Sequence, residues 1–278
     1  MSGLRVVSLV PSTTETLLAW GVDVVACTRF CEQPGLRTVG GTKDPDIGAI
    51  VALAPDLVVV NDEENRRLDA DALAAAGLAV HACSPRSVAE VGPALDALAA
   101  AVGVDPPEAS RGRVEDASGS GVPPAGQTGD GPSSEGRLGE GSSSEGQLGD
   151  GPSASAAGEG RGALPPLDLR AFVPIWWRPL MSLAGDTYGS SVLDAIGVTN
   201  VFAESADRYP EVTMAEAAAA RPDVVLAPSE PYAFRPRHLE ALAEVAPVVP
   251  VDGQDLFWWG VRTPAAVARL HAALAPLF

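Results

Sequence analysis

Aromatic side chains are the residues of this 278-residue chain that are best suited to hold a ligand, because of where they fall. They cluster after short apolar runs that predict β-strands, and parallel sheets bind their ligands beyond the carboxyl ends of such strands. The set comprises Phe30, Trp176, Trp177, Tyr209, Tyr232, Phe234, Phe257, Trp258 and Trp259. Rigid, flat side chains give a large contact area at little entropic cost, so the set indicates a large, partly apolar ligand. The alternative is that some of them pack as core beneath the loops.

Charged and hydroxyl side chains also lie after these strands, and each group has two interpretations. The segment 61–66 (NDEENR) supplies either polar ligand contacts or a solvated helix start, where acids favour the helix dipole. Ser12, Thr13 and Thr14 supply either an anion site at a helix N-terminus or an ordinary capping box with Glu15. The sequence contains no G-x-G-x-x-G, P-loop or G-x-S-x-G motif, and no histidine has an obvious catalytic partner. We therefore expect no catalytic residues and no enzyme.

The three cysteines, Cys27, Cys31 and Cys83, are too few for a disulfide framework. Cys27 and Cys31 have a C-x-x-x-C spacing, but no histidine lies near them in the sequence. We expect buried, unreactive thiols rather than a soft-metal site.

Charge and hydropathy exclude two classes of partner. The formal net charge is −17, which argues against binding to nucleic acids or anionic membranes, because both are polyanions. No stretch approaches the ~18 consecutive apolar residues of a transmembrane helix, so we expect no membrane insertion. The first residues lack the long apolar run of a secretory signal, which predicts a cytoplasmic protein. The alternative is a cell-surface or extracellular protein whose leader precedes this start.

Short apolar strands alternate with helices in both halves of the chain. This order predicts an α/β fold with two Rossmann-like lobes, parallel sheets and an interlobe cleft. We assign residues 1–104 to the N-terminal lobe and 167–278 to the C-terminal lobe. Residues 105–166 are rich in Gly, Ser, Pro and acids and contain an imperfect ten-residue repeat, so we expect a disordered linker. The segments 52–65 and 219–232 also echo each other, each with Pro-Asp before a strand and an acidic loop after it.

Six ordered motifs cover nearly all of both lobes and resemble those of a known family. They are RVVSLVPSTTETLLAWG, FCEQP, VGGTKDPDIGAIVALAPDLVVVNDEENR, IWWRPLMSLAGDTYGSSVLDAIGVTNVF, DRYPEVTMAEA and RPDVVLAPSEPY. Together they resemble the cobalamin and iron-siderophore substrate-binding family, and its cobalamin branch most closely. The resemblance implies two Rossmann-like lobes joined by a long, rigid helix. It also implies non-catalytic binding of a corrinoid or related chelated metal, such as a siderophore or haem, in the cleft, with an ABC transporter permease as partner.

The resemblance also implies which residues contact the ligand. Aromatic contacts fall at Phe30, Trp177, Tyr209 and Trp258, and Asp255 lies in the late loop that closes over the ligand. Where a relative has a tryptophan in a first-lobe loop, this chain has Thr42 with Lys43. We expect the polar groups of Asn61, Arg66 and Asp255 to orient the ligand. The metal would belong to the ligand, so we expect a monomer with no metal site and no intrinsic cofactor of its own.

Two features depart from the family pattern. Relatives that dock on an importer use one glutamate on the outer face of each lobe; Glu216 matches the second-lobe position, but the first falls at Gly48, with Asp46 only nearby. The connecting helix falls in the predicted linker, so either it is replaced or Val88–Val102 is a shortened version of it. The alternative function is an intracellular enzyme or chaperone acting on a corrinoid or tetrapyrrole, with residues 61–66 as its acid–base cluster.

Overall fold

The computed structural model describes residues 3–106, 108–111 and 164–277. Most of the predicted linker, 112–163, lies outside these ranges, so the disordered linker stays a prediction. The described residues beside it pack on the lobes. A 3-10 turn spans Glu108–Ser110, and the Trp20 indole donates a hydrogen bond to the Ser110 carbonyl at 3.2 Å. On the other side, the Pro165 carbonyl lies 2.8 Å from Nε2 of His271.

The first lobe is a parallel sheet covered by helices. Its elements are β1 (Arg5–Ser8), α1 (Pro11–Ala19), β2 (Asp23–Cys27), β3 (Arg37–Thr38), α2 (Ile47–Leu53), β4 (Leu57–Val60), α3 (Arg67–Ala75), β5 (Val80–Ala82) and α4 (Val88–Val102). The strand order is β3-β2-β1-β4-β5, and all pairs are parallel. The inner strand β4 is buried along its whole length, as expected of a strand with helices on both faces.

The second lobe repeats this plan with one added hairpin. Its elements are β6 (Leu169–Phe172), β7 (Trp176–Trp177), β8 (Leu180–Met181), α5 (Tyr188–Asp194), β9 (Val198–Asn200), α6 (Met214–Ala219), β10 (Val224–Pro228), α7 (Pro236–Leu242), β11 (Val248–Val251), α8 (Gly253–Phe257) and α9 (Thr263–Leu274). The parallel order β11-β10-β6-β9 matches β5-β4-β1-β2 of the first lobe, while β7 and β8 pair antiparallel. The predicted α/β fold with two parallel-sheet lobes is confirmed.

The echo between the two halves has a structural basis. Ala54 and Arg221 both adopt left-handed backbone, with φ of 44° and 51°, and so end their helices sharply before the Pro-Asp pair. The aspartate carboxylates, Asp56 and Asp223, then accept a hydrogen bond from the backbone N–H of the first strand of their own lobe, each at 2.8 Å. The repeated sequence is therefore a clamp that fixes β4 beside β1 and β10 beside β6.

The lobes meet in a packed base. Helix α4 buries Val91, Leu95 and Leu98 in a core cluster that also contains residues of the second lobe, and its Val88 N–H donates to Ser191 Oγ at 2.9 Å. The contact of α4 with the second lobe supports its reading as a shortened connecting helix. Opposite α4, the chain crosses back against α1 at Gly260, where a Cβ would collide with the Thr16 hydroxyl.

The S/T-x-x-E spacing of Ser12–Glu15, Ser87–Glu90 and Thr213–Glu216 predicts a capping box at three helix starts, and the three predictions have different outcomes. The box of Ser12 with Glu15 is wrong, because α1 begins at Pro11 and Glu15 instead pairs with Arg262 of the second lobe at 2.7 Å. Thr213 with Glu216 forms the predicted reciprocal box. At α4, Ser87 caps as predicted, although the partner carboxylate reaches the N–H one residue earlier.

Candidate functional site

The loops beyond the carboxyl ends of the strands face each other across a cleft. Glu63 of the first lobe accepts hydrogen bonds from Arg208 at 3.2 Å and from the Tyr209 hydroxyl at 3.1 Å. Further along, the Gln254 amide donates to Glu32 at 3.2 Å. These side-chain contacts join the two rims directly and define the mouth of the cleft.

The loop after β4 is held rigidly by two asparagines. The side-chain oxygen of Asn61 accepts hydrogen bonds from the backbone N–H groups of Glu63 and Glu64, at 2.7 and 3.3 Å. Asn65 is buried; its amide donates to the carbonyls of Leu9 and Thr42, and its oxygen accepts from the Asn61 N–H. The asparagines therefore build the loop and point its carboxylates into the cleft.

Glu64 lies at the floor of the cleft and is half-buried. Desolvation raises its pKa to about 8, and the nearby negative charges of Cys31, Glu230 and Glu63 add to the rise, while Lys43 opposes it. A carboxyl group with this pKa is mostly neutral at pH 7, so it can donate a hydrogen bond as well as accept one.

Glu230 faces the first lobe from the loop after β10. Burial raises its pKa, a hydrogen bond from the Trp258 side chain lowers it, and Glu32 and Asp252 raise it further. The centre of the cleft therefore combines weakly acidic carboxyl groups from both lobes. Such groups suit a ligand that carries amide or other uncharged polar groups.

An aromatic pocket opens beside these carboxyls on the second lobe. It is a cavity of about 610 Å³ lined by Trp176, Trp177, Arg178, Tyr232, Arg237 and His238. Trp176 and Tyr232 meet edge to face at 5.2 Å, and Trp177 stacks on His238 at 4.6 Å. The rings come from β7, which follows β6, and from the loop after β10, so both strand ends supply them.

The predicted aromatic contacts lie at or near the cleft. Phe30 is 49% exposed and Tyr209 40%, although both are large and apolar. The Arg29 guanidinium covers one face of Phe30 at 4.8 Å, and Tyr209 reaches across to Glu63. Trp177 is half-buried among the pocket aromatics. Their contact with a ligand stays a prediction.

The predicted polar contacts of the first lobe have partners within the protein. Thr42 offers its carbonyl to Asn65, and the Lys43 ammonium donates to the Glu63 carbonyl. The Arg66 guanidinium donates two hydrogen bonds to the Asp69 carboxylate at the start of α3. Their roles as ligand contacts stay predictions, and a ligand has to replace or extend these contacts.

Asp255 is buried, and its partners are two arginines of its own lobe. Its carboxylate pairs with Arg269 at 2.5 Å and with Arg262 at 3.4 Å. Arg262 in turn lies over the Trp258 ring at 5.2 Å and reaches Glu15 across the base. Asp255 therefore positions Arg262 and, through it, the predicted ligand contact Trp258. The neighbouring Trp259 is a core residue, 4% exposed.

The predicted docking residue Glu216 lies on the exposed face of α6. Its carboxylate accepts from the Thr213 hydroxyl at 2.8 Å and the Thr213 N–H at 2.7 Å, which lowers its pKa. Gly48 lies exposed on α2, where Asp46 caps the helix through the Ala49 N–H. Docking stays a prediction.

All three cysteines are free and buried. Cys31 accepts a hydrogen bond from the Thr14 hydroxyl and contacts that of Thr28, both at 3.2 Å; contacts with Cys27 and these hydroxyls lower its pKa. Within the described ranges no group of three or more His, Cys, Asp or Glu side chains is placed to hold a metal ion. No helix there is long and apolar enough to cross a bilayer.

Several residues of the cleft were not singled out by the sequence. They are Glu32, Arg178, Arg208, Glu230, Arg237, His238 and Gln254. One signal was available: Glu230 occupies the position of Glu63 when segments 52–65 and 219–232 are aligned. The others depend on contacts between loops far apart in sequence.

Comparison with known proteins finds similarity in sequence and in fold to proteins described as binding proteins. No protein-family model matches the chain. It is 24% identical over 229 residues to the vitamin B12-binding protein of Yersinia pestis (strain Pestoides F), covering 80% of this chain and 68% of the relative. The structure of the periplasmic vitamin B12 binding protein of Vibrio cholerae matches with a TM-score of 0.65 at 20% identity, covering 98% and 97% of the two chains. A periplasmic heme binding protein from Pseudomonas aeruginosa matches with a TM-score of 0.66 at 18% identity, covering 99% and 93%.

These matches correct one expectation and confirm another. The expected cytoplasmic location is wrong, because the similar proteins of known structure are periplasmic. The fold and the sequence similarity together confirm the resemblance of this chain to the cobalamin and iron-siderophore substrate-binding family.

Proposed function

We propose that this protein binds a corrinoid or a related metal chelate, without catalysis, in the cleft between its two lobes. The observation that carries the proposal is the placing of exposed aromatics from both lobes, Phe30 and Tyr209 above all, beside a cleft whose rims already touch. Large flat side chains at a concave site suit a broad, partly apolar ligand. The vitamin B12- and heme-binding proteins that share the fold support the same class of ligand.

Capture requires the rims to separate and close again. The Glu63 contacts with Arg208 and Tyr209 are partly exposed and therefore weak, whereas the packed base at α4 and Gly260 is buried. The mouth then opens while the base keeps the lobes in register. Phe30, Trp177, Tyr209 and Trp258 supply apolar contact, and Thr42, Lys43, Asn61, Arg66 and Asp255 hold or orient the groups that meet the ligand's polar edge.

Titration with cobalamin tests the proposal directly. Trp176, Trp177 and Trp258 lie at the cleft, so a bound corrin, which absorbs strongly, should quench tryptophan fluorescence at micromolar ligand. Buried Trp259 and distant Trp20 should respond less. Fluorescence that is unchanged by cobalamin, cobinamide and hemin alike would contradict the proposal.

We also propose that a membrane importer takes the ligand from this protein. The residue that argues for docking is Glu216, which is exposed and stays negatively charged because hydrogen bonds from Thr213 lower its pKa. The first lobe has Gly48 at the matching position. Substituting Glu216→Gln should weaken binding to the permease while leaving ligand affinity unchanged; equal permease binding by both proteins would remove this part of the proposal.

An enzyme or chaperone acting on a corrinoid is the less favoured function. The relatives in sequence and fold are described as binding proteins. Glu63, moreover, is engaged with Arg208 and Tyr209, and Asn61 serves the loop backbone. Turnover of a corrinoid that disappears in Glu64→Gln while binding survives would reverse this preference.

A further inference from the structure

Two arginines of the aromatic pocket lack an acidic partner. Arg178 and Arg237 line the 610 Å³ cavity, and no carboxylate of the described residues lies within ion-pair distance of either guanidinium. The other arginines near the cleft behave differently, since Arg29, Arg208 and Arg262 all pair with carboxylates.

The contrast is informative because the chain is strongly acidic. It carries 36 acidic residues against 19 basic ones, so carboxylates are abundant partners for any arginine. Two guanidinium groups that have no carboxylate partner among the described residues create a local positive potential at one cavity, on a protein whose net charge is negative. A charge arrangement of this kind favours an anionic group brought in from solution.

His238 contacts one of the two arginines, Arg237, and the backbone at the start of α7. Its ring is approached by the Arg235 N–H at Nδ1, at 3.1 Å, and by Arg237 Nε at Nε2, at 3.2 Å. A neutral imidazole accepts at only one nitrogen, so at least one of these N–H groups is left without an acceptor. The pKa of His238 is lowered, first by desolvation and then by the charges of Arg237, Arg235 and Arg178. The ring therefore stays neutral at pH 7 and does not add to the positive charge.

The walls of the cavity suit a flat ring. Trp176 is 43% exposed and meets Tyr232 edge to face, so an open aromatic face remains beside the two guanidinium groups. Planar guanidinium groups bind phosphate or carboxylate through paired N–H donors and also stack on aromatic rings. An occupant that satisfies both features carries an anionic group close to a planar aromatic ring.

We propose that this pocket, lined by Trp176, Arg178, Tyr232 and Arg237, is an anion-recognising subsite of the cleft. It takes a phosphate or carboxylate that is attached to a planar ring system of the ligand. The proposal rests on the proposed function and deepens it, because it specifies the charge of the ligand. Chelates with such a group are then preferred over chelates of the same ring that lack it.

Three probes separate the sources of the anion. Cobalamin carries a phosphodiester next to a benzimidazole, dicyanocobinamide has the same corrin ring without either, and hemin carries two carboxylates on its macrocycle. We expect cobalamin, or hemin if the anion is a carboxylate, to bind at least about tenfold more tightly than dicyanocobinamide, since charge-assisted hydrogen bonds are individually worth that much.

Charge removal at the pocket tests the assignment. Arg178→Gln and Arg237→Gln should each lower the affinity for the anionic probe by about tenfold. The affinity for dicyanocobinamide should change by no more than about twofold. The matched control is Arg221→Gln, which removes an exposed arginine of the same lobe at the far end of β10. Thermal unfolding confirms that all variants fold.

The outcomes distinguish the two proposals. If the wild-type protein binds none of the three probes, the proposed function fails. If it binds cobalamin and dicyanocobinamide equally, and Arg178→Gln and Arg237→Gln both bind all probes as the wild type does, the subsite is overturned while the function stands. If the arginine variants lose affinity for cobalamin alone, the group that the pocket binds is a phosphate. If they lose affinity for hemin alone, it is a carboxylate.

Discussion

The loops after β4 and β10 occupy the same place in the two lobes but have opposite character. Both follow a left-handed residue, a Pro-Asp clamp and a fully buried strand. The first loop then continues as an asparagine-braced turn that presents carboxyls, whereas the second carries Tyr232 to the aromatic pocket and leads into α7, which supplies Arg237. Even the aligned positions Asn65 and Tyr232 differ, since one is a buried brace and the other lines a cavity.

The difference teaches how a duplicated scaffold makes an asymmetric cleft. The strand and clamp are retained because they fix the loop's starting point in each lobe. The residues beyond the clamp are free to change, since loops at strand ends carry function while the sheet carries stability. One wall of the cleft thereby offers hydrogen-bonding carboxyls and the other offers aromatic area with positive charge.

The largest effect should come from the brace of the first loop. Asn65→Ala leaves the carbonyls of Leu9 and Thr42 and the N–H of Asn61 without their partner, so we expect a loss of about 3 kcal/mol in the free energy of unfolding. Urea denaturation measures it. The matched change in the second loop, Tyr232→Leu, should cost only about 1 kcal/mol, because it removes edge contacts between rings. Equal losses would mean that both loops are braced alike.

The acid at the cleft floor should make stability depend on pH. The pKa of Glu64 rises from 4.5 to about 8 on folding, so the folded protein holds a proton that the unfolded chain releases between those values. The free energy of unfolding should therefore fall as pH rises from about 4.5 to 8. Glu64→Gln should flatten that slope, measured by urea denaturation at several pH values. Glu230→Gln should act in the same direction, because burial also raises the pKa of Glu230. A slope that is identical in Glu64→Gln and wild type would place the titration elsewhere.

The side-chain contacts of Glu63 across the mouth of the cleft should affect the rate of ligand association more than the free energy of unfolding. Glu63→Ala removes the contacts with Arg208 and Tyr209, which are partly exposed and worth about 1 kcal/mol or less. We expect cobalamin association, followed by stopped-flow fluorescence, to accelerate by up to about fivefold. Asp62→Ala is the control, because Asp62 pairs within its own lobe with Arg86. Faster association in both variants would mean that the loss of a negative charge, and not the loss of the Glu63 contacts, is the cause.

The smallest effect should come from the shared clamp. Ala54→Gly and Arg221→Gly relieve left-handed backbone at exposed positions, so each should raise the free energy of unfolding by up to about 1 kcal/mol. Thermal unfolding of the two variants measures this. Similar increases in the free energy of unfolding would confirm that the clamp is strained to the same extent in both lobes. An increase in only one variant would mean that the two clamps share their backbone path but not their strain.

Much of the fold was predictable, because buried parallel strands are continuous apolar runs that end at turn residues. The apolar runs 57–60, 223–227 and 248–251 predict strands, and β4, β10 and β11 lie there to within one residue. The Ser12–Glu15 capping box failed because a local pattern competed with a distant partner, Arg262. No local rule identifies such a partner.

For the site, the sequence by itself determined which loops face the cleft and that aromatics are concentrated there, since strand ends and residue types are local properties. Only the tertiary structure decided which side chains pair across it. It joined Glu63 to Arg208 and Tyr209, placed Asp255 between two arginines and, within the described residues, left Arg178 and Arg237 without a carboxylate partner. Pairing and desolvation depend on distances between segments far apart in the chain, so charge at this site is a property of the folded protein.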